Sequence, residues 1–388
     1  MVADVGRSTL NRVVGMASFI SLSFMAAIPA AAFDTTTCFT KNAPGDSIVQ
    51  ACSVAIASGN FKGRELAELY YQRGAVRLGE NDYAIADYTE AIRLDPTFEI
   101  AYYNRGLAYQ AKGDLEHAIS DYNEALRLGV KVGQQFYVSR GTAYRTKGDL
   151  DRAIADFTEA IRLDPKDGRA IINRASVYGQ KGDFGHAIAD YDEAIQLDPK
   201  RAIAYYGRGN AYRLKGDLAR AASDYDEAIQ LDPKNAYFYF SRGRLYLYTS
   251  IAKALADFKQ ANELNPKDPV LALWLDFVER RNNSPSHLAQ IAQTLDMTAW
   301  PAPIVRLFLG ETTPAVVLAA ANAADPMTKQ KQVCDSNFFV GEFELLQNAK
   351  QEGIRLLQIA ARDCPPDRIA SSAANDELKA LGAAEKGR

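Results

Sequence analysis

Histidine is nearly missing. His117, His186 and His287 are the only three in 388 residues. The first two stand at the same place in a repeated pattern, just before Ala118 and Ala187, and read as helix-surface residues. No zinc-binding His-Glu-x-x-His, phosphate-cradling glycine loop or nucleophile-elbow serine occurs, so neither a metal, a cofactor nor catalysis is expected. A basic excess is also lacking. The formal charge is −3, which gives no electrostatic footprint for nucleic acid. Beyond the first thirty or so residues, no run is apolar enough to cross a bilayer. Cysteine is sparse, with four in all: Cys38, Cys52, Cys334 and Cys364.

What is present is the composition of an ordered chain, 47% apolar and 24% charged. At the start, Arg7 and Arg12 precede the apolar run Val13 to Pro29, and Ala30 to Ala32 supply a small-residue cleavage site. Residues 1–32 are therefore expected to be a secretory signal peptide, which places the mature chain in the periplasm. No cysteine stands at the expected cut, so lipid anchoring is not expected. An even cysteine count in an exported chain favours disulfides, and spacing alone leaves three pairings open.

The middle of the chain repeats itself. Gly74, Gly106, Gly141, Ala175, Gly209 and Gly243 mark one position, at intervals of 32, 35, 34, 34 and 34. Pro96, Pro165, Pro199, Pro233 and Pro266 close units in Leu-Asp-Pro or Leu-Asn-Pro. A period near 34 signals stacked helix pairs. Within a unit such as the fifth, Gly209 and Ala228 allow close helix approach while Tyr212 and Tyr225 fill the space between. Lys215-Gly216-Asp217 is the turn: glycine ends one helix and aspartate caps the next. Proline then ends the second helix.

These residues resemble the tetratricopeptide repeat (TPR) family. The fifth unit follows its pattern through Tyr205, Gly209, Tyr212, Ala221, Tyr225, Ala228 and Pro233. The resemblance implies an all-α fold, a right-handed superhelix with six repeats over residues 65–268 and first helices lining a concave face. Residues 33–64 form an N-terminal capping segment, 269–333 a non-repeat helical segment, 334–367 a seventh repeat, and 368–388 a capping helix and tail. In the non-repeat segment, Ser284 to Leu295 and Thr313 to Ala323 each open with a hydroxyl cap and a proline. Leu271 to Phe277, the Trp300-Pro301 loop, Leu309-Gly310 and Cys334 to Leu346 together resemble NlpI-like periplasmic TPR proteins. That second resemblance implies an adaptor joining peptidoglycan hydrolases to a periplasmic processing protease, and self-association as a homodimer. The alternative is a structural scaffold subunit of an envelope secretion or assembly complex.

With the small residue counted as position 8, position 7 is arginine in all six units, and position 23 is aspartate in all six once the first unit, two residues short at its turn, and the sixth, with a different turn, are aligned. The pairs include Arg105 and Asp121, Arg140 and Asp156, Arg174 and Asp190, and Arg208 and Asp224. The arginines are either a ladder for an anionic ligand or one interhelical ion pair per unit. The seventh unit has Val340 and Leu356 at these positions. Joint loss favours the ion pairs, since an unpartnered buried charge is costly. Pairing within or between units stays open. In the same register Cys334 opens the first helix and Cys364 ends the second, and antiparallel helices bring those ends together. That leaves Cys38 with Cys52.

By resemblance, positions 2, 5, 9 and 12 of first helices face the groove. Candidate peptide-binding residues are Tyr71, Tyr103, Tyr206 and Phe240 at position 5, with Arg145, Asn210, Arg213 and Arg244 at positions 9 and 12. Aromatic area with forked arginines suits a peptide or its carboxylate. The competing reading is that the aromatics only pack the superhelix.

Overall fold

The computed structural model describes residues 35–39, 44–77, 79–131, 133–365 and 368–383. The expected signal peptide lies outside them. The described residues form one short 3-10 helix and twenty α-helices, with no strand. They fall into two units, one up to Pro96 and one from Thr97 on.

In the first unit, the 3-10 helix Thr35–Phe39 precedes α1 (Gly45–Ala57), α2 (Gly63–Val76) and α3 (Asn81–Leu94). A disulfide joins Cys38 to Cys52, Cα to Cα 5.0 Å, and both residues are buried against Ile48 and Leu69. Position 5 of α2, Tyr71, lies 5.9 Å from the ring of Tyr88 on α3.

The second unit opens with four helix pairs. They are α4 (Glu99–Ala111) and α5 (Leu115–Arg127), α6 (Gln134–Lys147) and α7 (Leu150–Leu163), α8 (Gly168–Gln180) and α9 (Phe184–Leu197), and α10 (Ala202–Lys215) and α11 (Leu218–Leu231). Each turn has one construction. Gly113, Gly148, Gly182 and Gly216 take φ between 80° and 90°, a region closed to most side chains. Asp114, Asp149, Asp183 and Asp217 then accept a hydrogen bond from the backbone N–H three residues on, satisfying a donor the helix leaves free. Close approach within a pair is set at position 8. A Cβ at Gly106 would stand 2.8 Å from the Tyr122 ring, and one at Gly209 2.9 Å from Tyr225.

Ala175 breaks that rule, and the structure accommodates it in the next unit. Tyr191 of α9 packs over Gly207 of α10, where a Cβ would lie 2.3 Å from the ring carbon Cζ. Alanine at position 8 of one unit is thus matched by glycine at position 6 of the next.

The array continues through α12 (Ala236–Tyr246) and α13 (Ile251–Leu264) into α14 (Pro269–Arg281). α14 keeps the register, with Phe277 34 residues after Gly243, but has no second helix of its own kind. Short helices α15 (Leu288–Ala292), α16 (Ala302–Phe308) and α17 (Pro314–Ala320) follow. Residues Leu271 to Glu279 of α14 are all buried. Trp274 is its hub, stacked on Phe258 and Phe338 with ring centroids 5.7 and 5.3 Å away.

Three expectations change here. The segment from Ser284 turns helical only at Leu288, because acids of α14 hold the residues before it: Ser286 donates to Asp276, and His287 donates its backbone N–H to Glu279. The first helix of the seventh repeat, α18, spans Pro326–Leu346, so Cys334 lies inside a helix and a boundary at 333 would cut it. Asp325 caps its start by accepting from the Thr328 N–H. α18 pairs with α19 (Lys350–Asp363), and Cys334 is joined to Cys364, Cα to Cα 5.7 Å. Last, α20 (Ile369–Ala380) does more than cap the end, since it contacts residues of α10, α12 and α14.

Candidate binding groove

The repeated arginines are committed to the scaffold. Arg105, Arg140, Arg174, Arg208 and Arg242 each fork onto the aspartate of their own unit through Nε and Nη2, at 2.6 to 2.9 Å. In the first unit Arg73 does the same to Asp87. The aspartates are buried, and a two-pronged charge-assisted bond is what makes that tolerable. The remaining nitrogen, Nη1, reaches back one unit: Arg140 to Asn123, Arg174 to Thr158, Arg208 to Asp192 and Arg242 to Asp226. One side chain therefore closes its own helix pair and stitches it to the one before. Val340 and Leu356 of α18 and α19 are buried in apolar surroundings instead.

The first-helix face of the second unit is built from positions 5, 9 and 12. Tyr103, Val138, Ile172 and Tyr206 are half-buried along it. Tyr103 leans on Tyr122 and Phe136, and Tyr206 on Tyr225 and Phe238, so these rings are packed on one side and open on the other. Phe240 does not belong with them. It is buried against Phe258 and Trp274, because α14 brings an indole up to the helix that repeat spacing alone leaves open. Asn210 is turned inward as well, accepting a hydrogen bond from the Tyr225 hydroxyl at 2.8 Å.

Arg213 and Arg244 are engaged within the chain. α20 packs on α18 and α19 and presents Ser372, Asp376 and Glu377 to arginines of α10, α12 and α14. Arg213 Nη1 stands 3.3 Å from Asp376, and Arg244 Nη2 stands 3.0 Å from Ser372 Oγ and 3.7 Å from Asp376. Arg281 of α14 forks onto Glu377 at 2.7 and 2.8 Å, and the Tyr248 hydroxyl donates to the same carboxylate. Burial and the neighbouring Arg213 lower the Arg244 guanidinium to about 10. Ala370, Ala373 and Ala374 are the small buried residues of α20. Beside it Glu342 of α18 is buried with Oε1 unpaired, and burial together with Glu377 raises its carboxyl well above the usual range.

Arg145 differs from both. It is half-buried at position 12 of α6. Burial lowers its pKa against the raising effect of the nearby Tyr191, and among the described residues it forms no side-chain hydrogen bond or ion pair. On the next first helix, position 12 is Gly179, and a Cβ there would meet nothing within 4 Å. The face between α6 and α10 is thus open, cationic at one end and lined by Ile172 and Tyr206.

His117 and His186 stack on Tyr109 and Tyr178, with Nδ1 at 2.8 and 2.6 Å from the capping Asp114 and Asp183. Among the described residues no cluster of three or more potential metal-ligating side chains occurs.

A tetratricopeptide repeat family model matches residues 103–168, 138–200 and 172–236, and a second TPR model matches 76–113. Residues 76–236 of this chain are tetratricopeptide repeats. Similar solved structures include a tetratricopeptide repeat protein from Parabacteroides merdae ATCC 43184. It is 24% identical, covering 60% of this chain and 92% of that one at a TM-score of 0.49. YrrB, described as a TPR protein with an unusual peptide-binding site, is 22% identical and covers 50% and 98% at 0.44. MamA is 25% identical and covers 44% and 94% at 0.41. No curated protein matches the chain. The TPR array makes this chain a protein–protein interaction scaffold.

The role of α20 escaped the sequence reading. Its signal was present: Ser372 and Asp376 stand four apart on a helix whose other face is alanine, opposite arginines spaced along successive first helices.

Proposed function

We propose that this TPR protein is a periplasmic adaptor that binds protein segments on the open first-helix face from α4 to α10. The observation that carries the reading is the run Tyr103, Val138, Ile172 and Tyr206, half-buried and backed by packed rings. Rigid aromatic area flanked by an arginine is what protein-recognition surfaces concentrate. The periplasmic assignment is supported by the two disulfides, which persist in oxidising compartments. Within that compartment, the motifs shared with NlpI-like proteins favour cell-wall hydrolases and a processing protease as the clients.

The test is co-purification from envelope extract with the wild type and an Ile172→Ala/Tyr206→Ala variant. The variant should lose hydrolase and protease while keeping its far-UV circular dichroism. Retention of both clients by a folded variant would remove the groove from the mechanism. A second reading, a spacing subunit of an envelope assembly, draws on the internal occupancy of the face by α20. It requires fixed-stoichiometry membrane components in the same eluate.

A further inference from the structure

We infer that the open stretch of the first-helix face receives an acidic helix from a protein partner, with one of its carboxylates pairing with Arg145. This rests on the adaptor reading and adds the chemistry of the partner. The chain itself shows what this kind of face accepts. Immediately beyond the open stretch, α20, which packs on α18 and α19, places Asp376 and Glu377 on Arg213, Arg244 and Arg281. Arg213 stands at position 12 of α10, and Arg145 is its counterpart two first helices earlier. Arg213 has its carboxylate, Asp376; among the described residues Arg145 has none within ion-pair distance.

The ground between them is prepared for a helix rather than a side chain alone. Gly179 stands at position 12 of α8 and leaves space that any other residue would take up. Ile172 and Tyr206 border it with half-buried apolar surface. A desolvated guanidinium gains most from a carboxylate that brings its own shield from water, which a docked helix supplies and a free anion does not.

The experiment uses the full chain and a fluorescein-labelled peptide copying residues 368–383, blocked at both ends, followed by fluorescence anisotropy at low salt. The control peptide carries Asp376→Asn and Glu377→Gln. The acidic peptide should bind about tenfold or more tightly than the control, the scale of a charge-assisted bond. Arg145→Gln in the protein should bring the acidic peptide down to the control, and Arg145→Lys should restore part of the difference.

The inference is overturned by equal binding of the two peptides or by no binding of the acidic one. Affinity indifferent to Arg145→Gln also overturns it, and is the outcome if the peptide merely exchanges with α20. A third peptide, the control with a free C-terminal carboxylate, overturns it if it alone binds through Arg145. These failures are separable from failure of the adaptor reading. If client capture is still lost in the Ile172→Ala/Tyr206→Ala variant, only the acidic-helix inference falls.

Discussion

Removing either member of a repeat ion pair should cost at least as much as removing both. The fifth unit offers the cleanest case, because Arg208 and Asp224 are joined by two bonds, 2.9 and 2.7 Å long. The side chains are 20% and 7% exposed, so the carboxylate is the more deeply desolvated partner. Arg208→Val strands it. A fully buried pair broken in this way costs about 3–5 kcal/mol, and the residual exposure of the arginine places this one near the lower end, about 3 kcal/mol. Asp224→Leu strands a guanidinium that retains Asp192 and some water, for about 2 kcal/mol. The double variant copies what Val340 and Leu356 already do in α18 and α19. It should cost about 2 kcal/mol in total, leaving a coupling energy of about 3 kcal/mol. Repeat arrays depart from all-or-none unfolding, so the readout should be local. Hydrogen exchange followed by mass spectrometry over α10 and α11 measures the opening free energy of that pair directly. If the two single losses simply add up in the double variant, the arginine and aspartate do not stabilise one another, and the scaffold account of the ladder is wrong.

Two further expectations follow from buried groups. Glu342 is buried beside Glu377, with Arg281 and Tyr248 as the other charged or titratable groups facing the pair, and its folded pKa is raised above the ordinary 4.5. An acid raised in the folded state holds its proton more tightly there. The folded chain is thus undisadvantaged below the unfolded value and loses stability as pH climbs towards the folded one. Glu342→Gln should therefore raise the thermal midpoint more at pH 8 than at pH 5, and an equal gain at both would refute this. Gly207→Ala should cost about 1–3 kcal/mol by overpacking against Tyr191, as measured by hydrogen exchange over α9 and α10. Ala175→Gly in the same chain should recover part of that loss by reopening the position Tyr191 avoids. No recovery would mean the two positions are uncoupled.

Much of the array could be read from local chemistry. The small residue at position 8, the glycine–aspartate turn and the closing proline each act within one unit, so their spacing alone reports helix pairing. The arginine–aspartate pattern was legible for the same reason, down to its replacement by Val340 and Leu356. What escaped depends on contacts far apart in sequence. Phe240 matches the open-face pattern of Tyr206 until Trp274 arrives from α14. Arg213 and Arg244 look available until a helix some 130 to 160 residues later covers them. Ser284 and Pro285 signal a helix start, yet Asp276 and Glu279 hold the following residues out of helical register. The third bond of Arg140, Arg174, Arg208 and Arg242, back to the preceding unit, was hidden because its acceptor varies among Asn123, Thr158, Asp192 and Asp226.

A solenoid in which every repeat touches only its neighbours behaves as a spring, with compliance spread along its length. By spanning α10, α12 and α14, α20 adds contacts that skip a repeat and stiffens that part of the second unit. Changes of curvature are then concentrated in the pairs from α4 to α9, under most of the face left open. A partner seated there meets the compliant section of the array, while the last repeats serve as its fixed end.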